Sequence, residues 1–138
     1  MDASVVAKWV LPGEAYQENA LKLKEDHISG KAFLSAPAFI IQEVGNALWR
    51  AVKMARTTEE DAQGALEALN DMRIELHELD WAHISQGLSI ACKLDLTVYD
   101  ATYLFLSDRM KADLITADNK LYEKSRKHFG VLHIKKYL

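Results

Sequence analysis

Apolar positions recur along this chain with two periods. Spacings of three and four residues predict helices at Ala3–Leu11, Ala15–Ser29, Pro37–Ala55, Thr58–Met72, Trp81–Lys93, Val98–Lys111 and Asn119–His128. Short apolar runs between them, Ala32–Ser35, Ile74–Glu78, Asp113–Thr116 and Val131–Ile134, read as strands. Strands alternating with helices predict an α/β fold with a mostly parallel central sheet. Pro37 suits a first helical turn, where its missing N–H is no loss, and Thr57-Thr58-Glu59-Glu60 reads as a capping box. Gly30 and Gly130 stand where helices are expected to stop. Ala62, Ala65, Leu66 and Leu69 give the fourth helix an apolar stripe. Trp9, Trp49 and Trp81 read as core residues, with interfaces as the alternative, and Cys92 as a helix packing residue.

Composition narrows the class. At 138 residues, 49% hydrophobic and 27% charged, the chain is expected to fold as one globular domain spanning 1–138. A single cysteine excludes an internal disulfide, and the five histidines lack the paired spacing of a zinc site. The N-terminus has no basic segment before an apolar run, and nothing approaches the ~18 apolar residues of a membrane span. The expectation is a cytoplasmic protein without a membrane partner. A net charge of -3 excludes a wholesale electrostatic grip on nucleic acid, but the charge is uneven. Glu59–Asp80 holds eight acids and one base, which reads as a solvated face, whereas Asn119–Leu138 holds six bases and one acid. That basic end (Lys120, Lys124, Arg126, Lys127, Lys135 and Lys136) is the candidate polyanion-facing patch.

Four of the twenty acids lie in apolar surroundings: Asp2, Glu43, Asp100 and Asp118. A charge at the border of a core costs several kcal/mol unless it is paired, neutralised or bound to a metal. Asp2 and Asp118 have a structural alternative as helix N-caps, and Asp100 as the third helical position of a box opened by Thr97. Glu43 falls mid-helix at the rim of the buried face, where capping is not open to it and reaching to solvent is the alternative. The joint reading is that all four meet in the crevice beyond the carboxyl ends of parallel strands. Carboxylates converging without histidine or cysteine make a hard, oxygen-rich site suited to Mg²⁺ or Mn²⁺. An Asp-x-Asp phosphatase signature is absent, since Asp2-Ala3-Ser4 stands there, and neither glycine-rich nucleotide motif occurs.

Asp2-Ala3-Ser4-Val5-Val6-Ala7-Lys8-Trp9, Glu43-Val44-Gly45-Asn46-Ala47-Leu48-Trp49, Tyr99-Asp100-Ala101-Thr102-Tyr103-Leu104 and Leu114-Ile115-Thr116-Ala117-Asp118-Asn119-Lys120-Leu121 resemble, in order and over the whole chain, the motifs of PIN domains of the VapC toxin type. The resemblance implies a PIN-like three-layer sandwich, with a central mostly parallel sheet of 4–5 strands flanked by about seven helices. It implies a Mg²⁺-dependent ribonuclease that hydrolyses RNA phosphodiesters with metal-activated water, in which Asp2, Glu43, Asp100 and Asp118 match the metal-binding, catalytic acids. Ser4, Asn46 and Thr116 fall where such proteins place hydroxyl or amide neighbours of those acids. A VapB-like antitoxin and a homodimer are the implied partners, alongside the RNA substrate. Family members carry an apolar first strand before the first aspartate, and here only Met1 precedes Asp2, so that strand is short or missing in this chain. The competing reading is a PIN-like module that binds RNA or protein with weak or lost catalysis. Without the four acids the remaining chain carries +1, since -3 less -4 is +1.

Overall fold

In the computed structural model, which describes residues 1–138, the chain runs α1 (Ala3–Val10), α2 (Gln17–Ile28), β1 (Ser35–Pro37), α3 (Ile40–Lys53), α4 (Glu59–Asp71), β2 (Glu75–His77), α5 (Trp81–Leu94), α6 (Val98–Met110), β3 (Leu114–Thr116), α7 (Asn119–Ser125) and β4 (Val131–His133), then a 3-10 turn at Ile134–Lys136. The seven helices and four strands occur in the predicted order. Side chains set many of the helix starts. Asp2, Thr58, Asp80, Thr97 and Asp118 each accept a hydrogen bond from a backbone N–H two or three residues on. The box expected at Thr57 is displaced by one residue, with Thr58 as the cap and the Asp61 N–H as its donor at 3.1 Å. A reciprocal box forms instead between Asp80 and His83.

All strand pairing is parallel. β1 pairs with β2 in the register Ser35 to Glu75, and β3 with β4 in the register Leu114 to Val131. The crossovers, α3 and α4 in one unit and α7 in the other, leave from β1 and β3 in opposite directions. The four strands thus form two pairs, and Met1 and Asp2 bridge them. The Met1 amine donates to the Ser35 carbonyl at 3.1 Å, and the Asp2 N–H donates to the Ile115 carbonyl at 3.1 Å. This is a topological switch point, the place where a parallel sheet opens a crevice. α1 packs against α2, α3 and β3, while α6 packs against α5, β1 and β3, so the helices cover the strands from two sides.

Pro37 ends β1 rather than opening α3, which begins only at Ile40. In β1 the Ser35 carbonyl faces the Met1 side, so by the two-residue alternation of a strand Pro37 also turns its nitrogen away from β2. The missing N–H therefore costs no ladder bond, and the Ala38 N–H resumes the pairing with the His77 carbonyl at 2.9 Å. The later start moves Glu43 from mid-helix into the first turn of α3. Gly130 lies beyond the end of α7, and its constraint is space, because a Cβ there would overlap the Asp113 carboxylate. Trp9 is buried, but Trp49 and Trp81 are 56% and 92% exposed, and Cys92 is exposed on α5. α5 packs mainly against α6, and Trp81 and Cys92 are among the positions of α5 left uncovered.

The α5–α6 contact is close because Gly87 faces Thr102. A Cβ at Gly87 would stand 3.0 Å from Thr102 Oγ1, which is pinned by donating to the Val98 carbonyl at 2.6 Å. Gly87→Val is expected to destabilise the fold by about 1–3 kcal/mol, read as a lower midpoint in chemical denaturation with an unchanged slope.

Candidate active site

The four acids singled out in the sequence all sit at helix N-termini. Asp2 caps α1, Glu43 and Asp100 lie in the first turns of α3 and α6, and Asp118 caps α7. Helix N-termini carry partial positive charge, worth roughly 0.3–1 kcal/mol to a nearby carboxylate, and this offsets part of the cost of gathering negative charge. The structural alternative as caps therefore holds for Asp2 and Asp118. It does not compete with the joint reading, since capping occupies only one carboxylate oxygen of Asp118.

Asp2 is the innermost, only 5% exposed. Its Oδ1 accepts from the Ser4 N–H at 3.1 Å and the Ser4 hydroxyl at 2.5 Å, and its Oδ2 accepts from the Thr116 hydroxyl. Burial pushes its carboxyl above the ordinary aspartate range, against those hydroxyl bonds and the nearby Met1 ammonium, which draw it down. Ser4 and Thr116 are tied in turn. The Ala117 N–H donates to Ser4 Oγ at 2.8 Å, and the Asp118 N–H donates to Thr116 Oγ1 at 2.9 Å. The end of β3, the start of α1 and the cap of α7 thus form one hydrogen-bonded unit.

Glu43 is held by the Tyr103 hydroxyl, which donates to Oε2 at 2.7 Å. Burial raises the Glu43 pKa, the Tyr103 bond opposes this, and the charges of Asp100 and Asp2 raise it further. Burial likewise raises Asp100, with Asp118 adding to the shift and Thr97 and Lys120 opposing it. Tyr103 is driven strongly upward by burial and by Glu43, so it remains a donor. These mutual effects put Asp2, Glu43, Asp100 and Asp118 in one electrostatic neighbourhood. No three of them meet at a single position as they stand, and Asp2, Glu43 and Asp118 each accept from a protein donor. Asn46 stands on the exposed side of α3, one turn beyond Glu43, and lines the same open cavity.

Tyr103 was not evident from motif position, although its i, i+3 spacing from Asp100 on α6 places both on one helix face. In the basic end, Lys124 pairs with Asp95 at 2.8 Å and Arg126 with Glu123 at 2.9 Å, leaving Lys120 as the base that acts on Asp100. No helix is long and apolar enough to cross a membrane.

A PIN domain family model matches residues 1–127. Ribonuclease VapC3 of Pyrobaculum aerophilum is 29% identical over 125 residues, covering 90% of this chain and 92% of that protein. Ribonuclease VapC1 of Mycobacterium tuberculosis is 34% identical over 89 residues, 63% of this chain and 64% of that protein. The crystal structure of PAE2754 from Pyrobaculum aerophilum superposes with a TM-score of 0.70 at 24% identity, covering 97% of this chain and 88% of that one, a likeness of fold.

The Thr116 hydroxyl donates to Asp2 and accepts from the Asp118 N–H, with the Ser4 hydroxyl 3.5 Å away. Thr116→Val keeps the shape and removes both bonds, so it is expected to lower stability by about 2 kcal/mol, whereas Thr116→Ser retains most of it; thermal denaturation of the two variants checks this.

Proposed function

The chain belongs to the PIN domain family, and from that premise we propose that it is a Mg²⁺-dependent endoribonuclease, the cytoplasmic toxin of a VapBC-type toxin–antitoxin pair. The observation that carries this reading is that Asp2, Glu43, Asp100 and Asp118 all stand at helix N-termini, with Asp2 buried among them. The names of the ribonucleases it resembles support the same reaction.

The residues fit a hard divalent cation. The donors are carboxylate oxygens backed by hydroxyls, with no nitrogen or sulfur ligand among them. Three of the four acids are raised in pKa by burial, with Asp100 and Asp2 adding to the rise at Glu43 and Asp118 to that at Asp100, a penalty that a bound cation relieves. Asp2, Glu43, Asp100 and Asp118 would hold Mg²⁺, with Mn²⁺ as a substitute, through lone pairs that their present donors leave free. When bound, the cation supplies Lewis-acid polarisation of the phosphodiester and lowers the pKa of water. The protein's own part is positional. Ser4 and Thr116 fix Asp2, Tyr103 fixes Glu43, and Lys120 offers a positive charge at the rim where a phosphate enters.

The antitoxin reading is supported by an apolar groove of ≈ 470 Å³ between α3 and α4, lined among others by Ile40, Val44, Leu66, Leu69 and Leu76. A VapB-like segment docking there would cover this face and bring a basic side chain toward the acids. The exposed Trp81 is available to a homodimer contact.

Purified protein is expected to cleave RNA with Mg²⁺ and not with chelator, and Asp100→Asn or Asp118→Asn to reduce the rate by at least about a hundredfold. Undiminished cleavage by either variant overturns the site assignment. A cation at about a hundred times its Kd is expected to stabilise the fold by ~2.7 kcal/mol, seen as a rise of several degrees in Tm that both variants lose in part.

A further inference from the structure

Next to Glu43 the crevice opens into a cavity of ≈ 710 Å³, lined among others by Phe39, Gln42, Asn46, Glu78 and Tyr99. Resting on the ribonuclease reading, we propose that this cavity is a nucleobase subsite. It seats one unstacked base of the RNA beside the cleavage centre, with the Tyr99 ring as stacking platform and the Glu78 carboxylate as acceptor for the base's N–H groups.

Three observations carry this. First, Tyr99 is 59% exposed yet fixed in place, because the Phe39 ring meets it edge-on with centroids 5.4 Å apart and planes at 78°. An aromatic ring braced on one side and open on the other is what an unstacked base uses. Second, the same Phe39 packs edge-on against Tyr103 at 5.3 Å, and Tyr103 is bonded to Glu43. The platform is therefore joined to the acid cluster through two ring contacts and one hydrogen bond, which sets the distance from a stacked base to the scissile phosphate. Third, the cavity wall contains two carboxylates and two amides and no lysine or arginine. Phosphate is repelled by such a wall, whereas a neutral heterocycle with N–H donors is attracted, a carboxylate being a natural acceptor for an exocyclic amine. Adenine, guanine and cytosine carry that amine, whereas uracil offers only a ring N–H between two carbonyl oxygens that a carboxylate repels, so the wall selects against uracil. A basic side chain from a protein is the other group such a wall would attract, and the experiment separates the two.

Binding of a fluorescent single-stranded RNA of mixed sequence, and of an oligouridine of equal length, is measured by anisotropy with Ca²⁺ in place of Mg²⁺. Wild type, Tyr99→Ala, Tyr99→Phe and Glu78→Gln are compared. The mixed-sequence RNA is expected to bind Tyr99→Ala about tenfold more weakly, with Tyr99→Phe within about twofold of wild type. Glu78→Gln is expected to lose most of the preference over oligouridine. The Mg²⁺-induced rise in Tm stays at the wild-type value in all three variants. Equal RNA binding by Tyr99→Ala and wild type overturns the subsite while leaving the ribonuclease reading intact, and if an arginine-bearing peptide then binds wild type better than Glu78→Gln, the cavity is a protein contact. Loss of the Mg²⁺ response in Tyr99→Ala also overturns the subsite, since the ring would then be supporting the acids. A wild-type protein that neither binds nor cuts any RNA overturns both readings.

Discussion

The buried carboxylate of Asp2 is the constraint around which the rest of the molecule is arranged. Left unpartnered it would cost several kcal/mol, and it is satisfied by residues from two distant parts of the chain: Ser4 on α1, and Thr116 at the end of β3. Those bonds, together with the backbone links from Met1 to Ser35 and from Asp2 to Ile115, fasten two strand pairs that are not otherwise hydrogen-bonded to each other. One polar cluster thus joins the halves of the sheet and forms the floor of the crevice.

Placing acids at four helix starts resolves a conflict between stability and function. The carboxylates repel one another and are partly desolvated, which favours the neutral form of Asp2, Glu43 and Asp100. The helix N-termini, the hydroxyls of Ser4 and Thr116 and the Tyr103 bond hold the charged forms. The balance still leaves Asp2, Glu43 and Asp100 above the ordinary carboxylate range, a demand for positive charge on which the proposed cation site rests.

The neighbouring surfaces divide the remaining work by their chemistry. The α3–α4 groove is apolar and suits a partner helix, whereas the cavity at Tyr99 is edged by carboxylates and amides and suits a polar ring. α3 contributes to both, with Ile41 lining each, so a partner in the groove would press on the helix that carries Glu43.

Much of this was legible in the sequence. The 3.6-residue and two-residue periods of apolar residues depend only on local geometry, and they determined the helices, the strands and their order. Acids stranded in apolar surroundings are anomalous from composition alone, and that anomaly marked Asp2, Glu43, Asp100 and Asp118. Other features depended on distant neighbours. Pro37 carries the same local preference in a strand edge as in a helix turn, and only the pairing of β1 with β2 decided between them, moving Glu43 into a first turn. Trp49 and Trp81 look like core residues until the absence of a covering element is known. The bonds from Tyr103 to Glu43 and from Thr116 to Asp2 join residues 60 and 114 positions apart, and no local period encodes them. The sequence alone singled out four acids that the fold then places at four helix starts. Which donor each one faces, and that the first two residues fill the gap between β1 and β3, was decided only by the tertiary structure, because hydrogen bonding and burial are set by whatever the fold brings alongside.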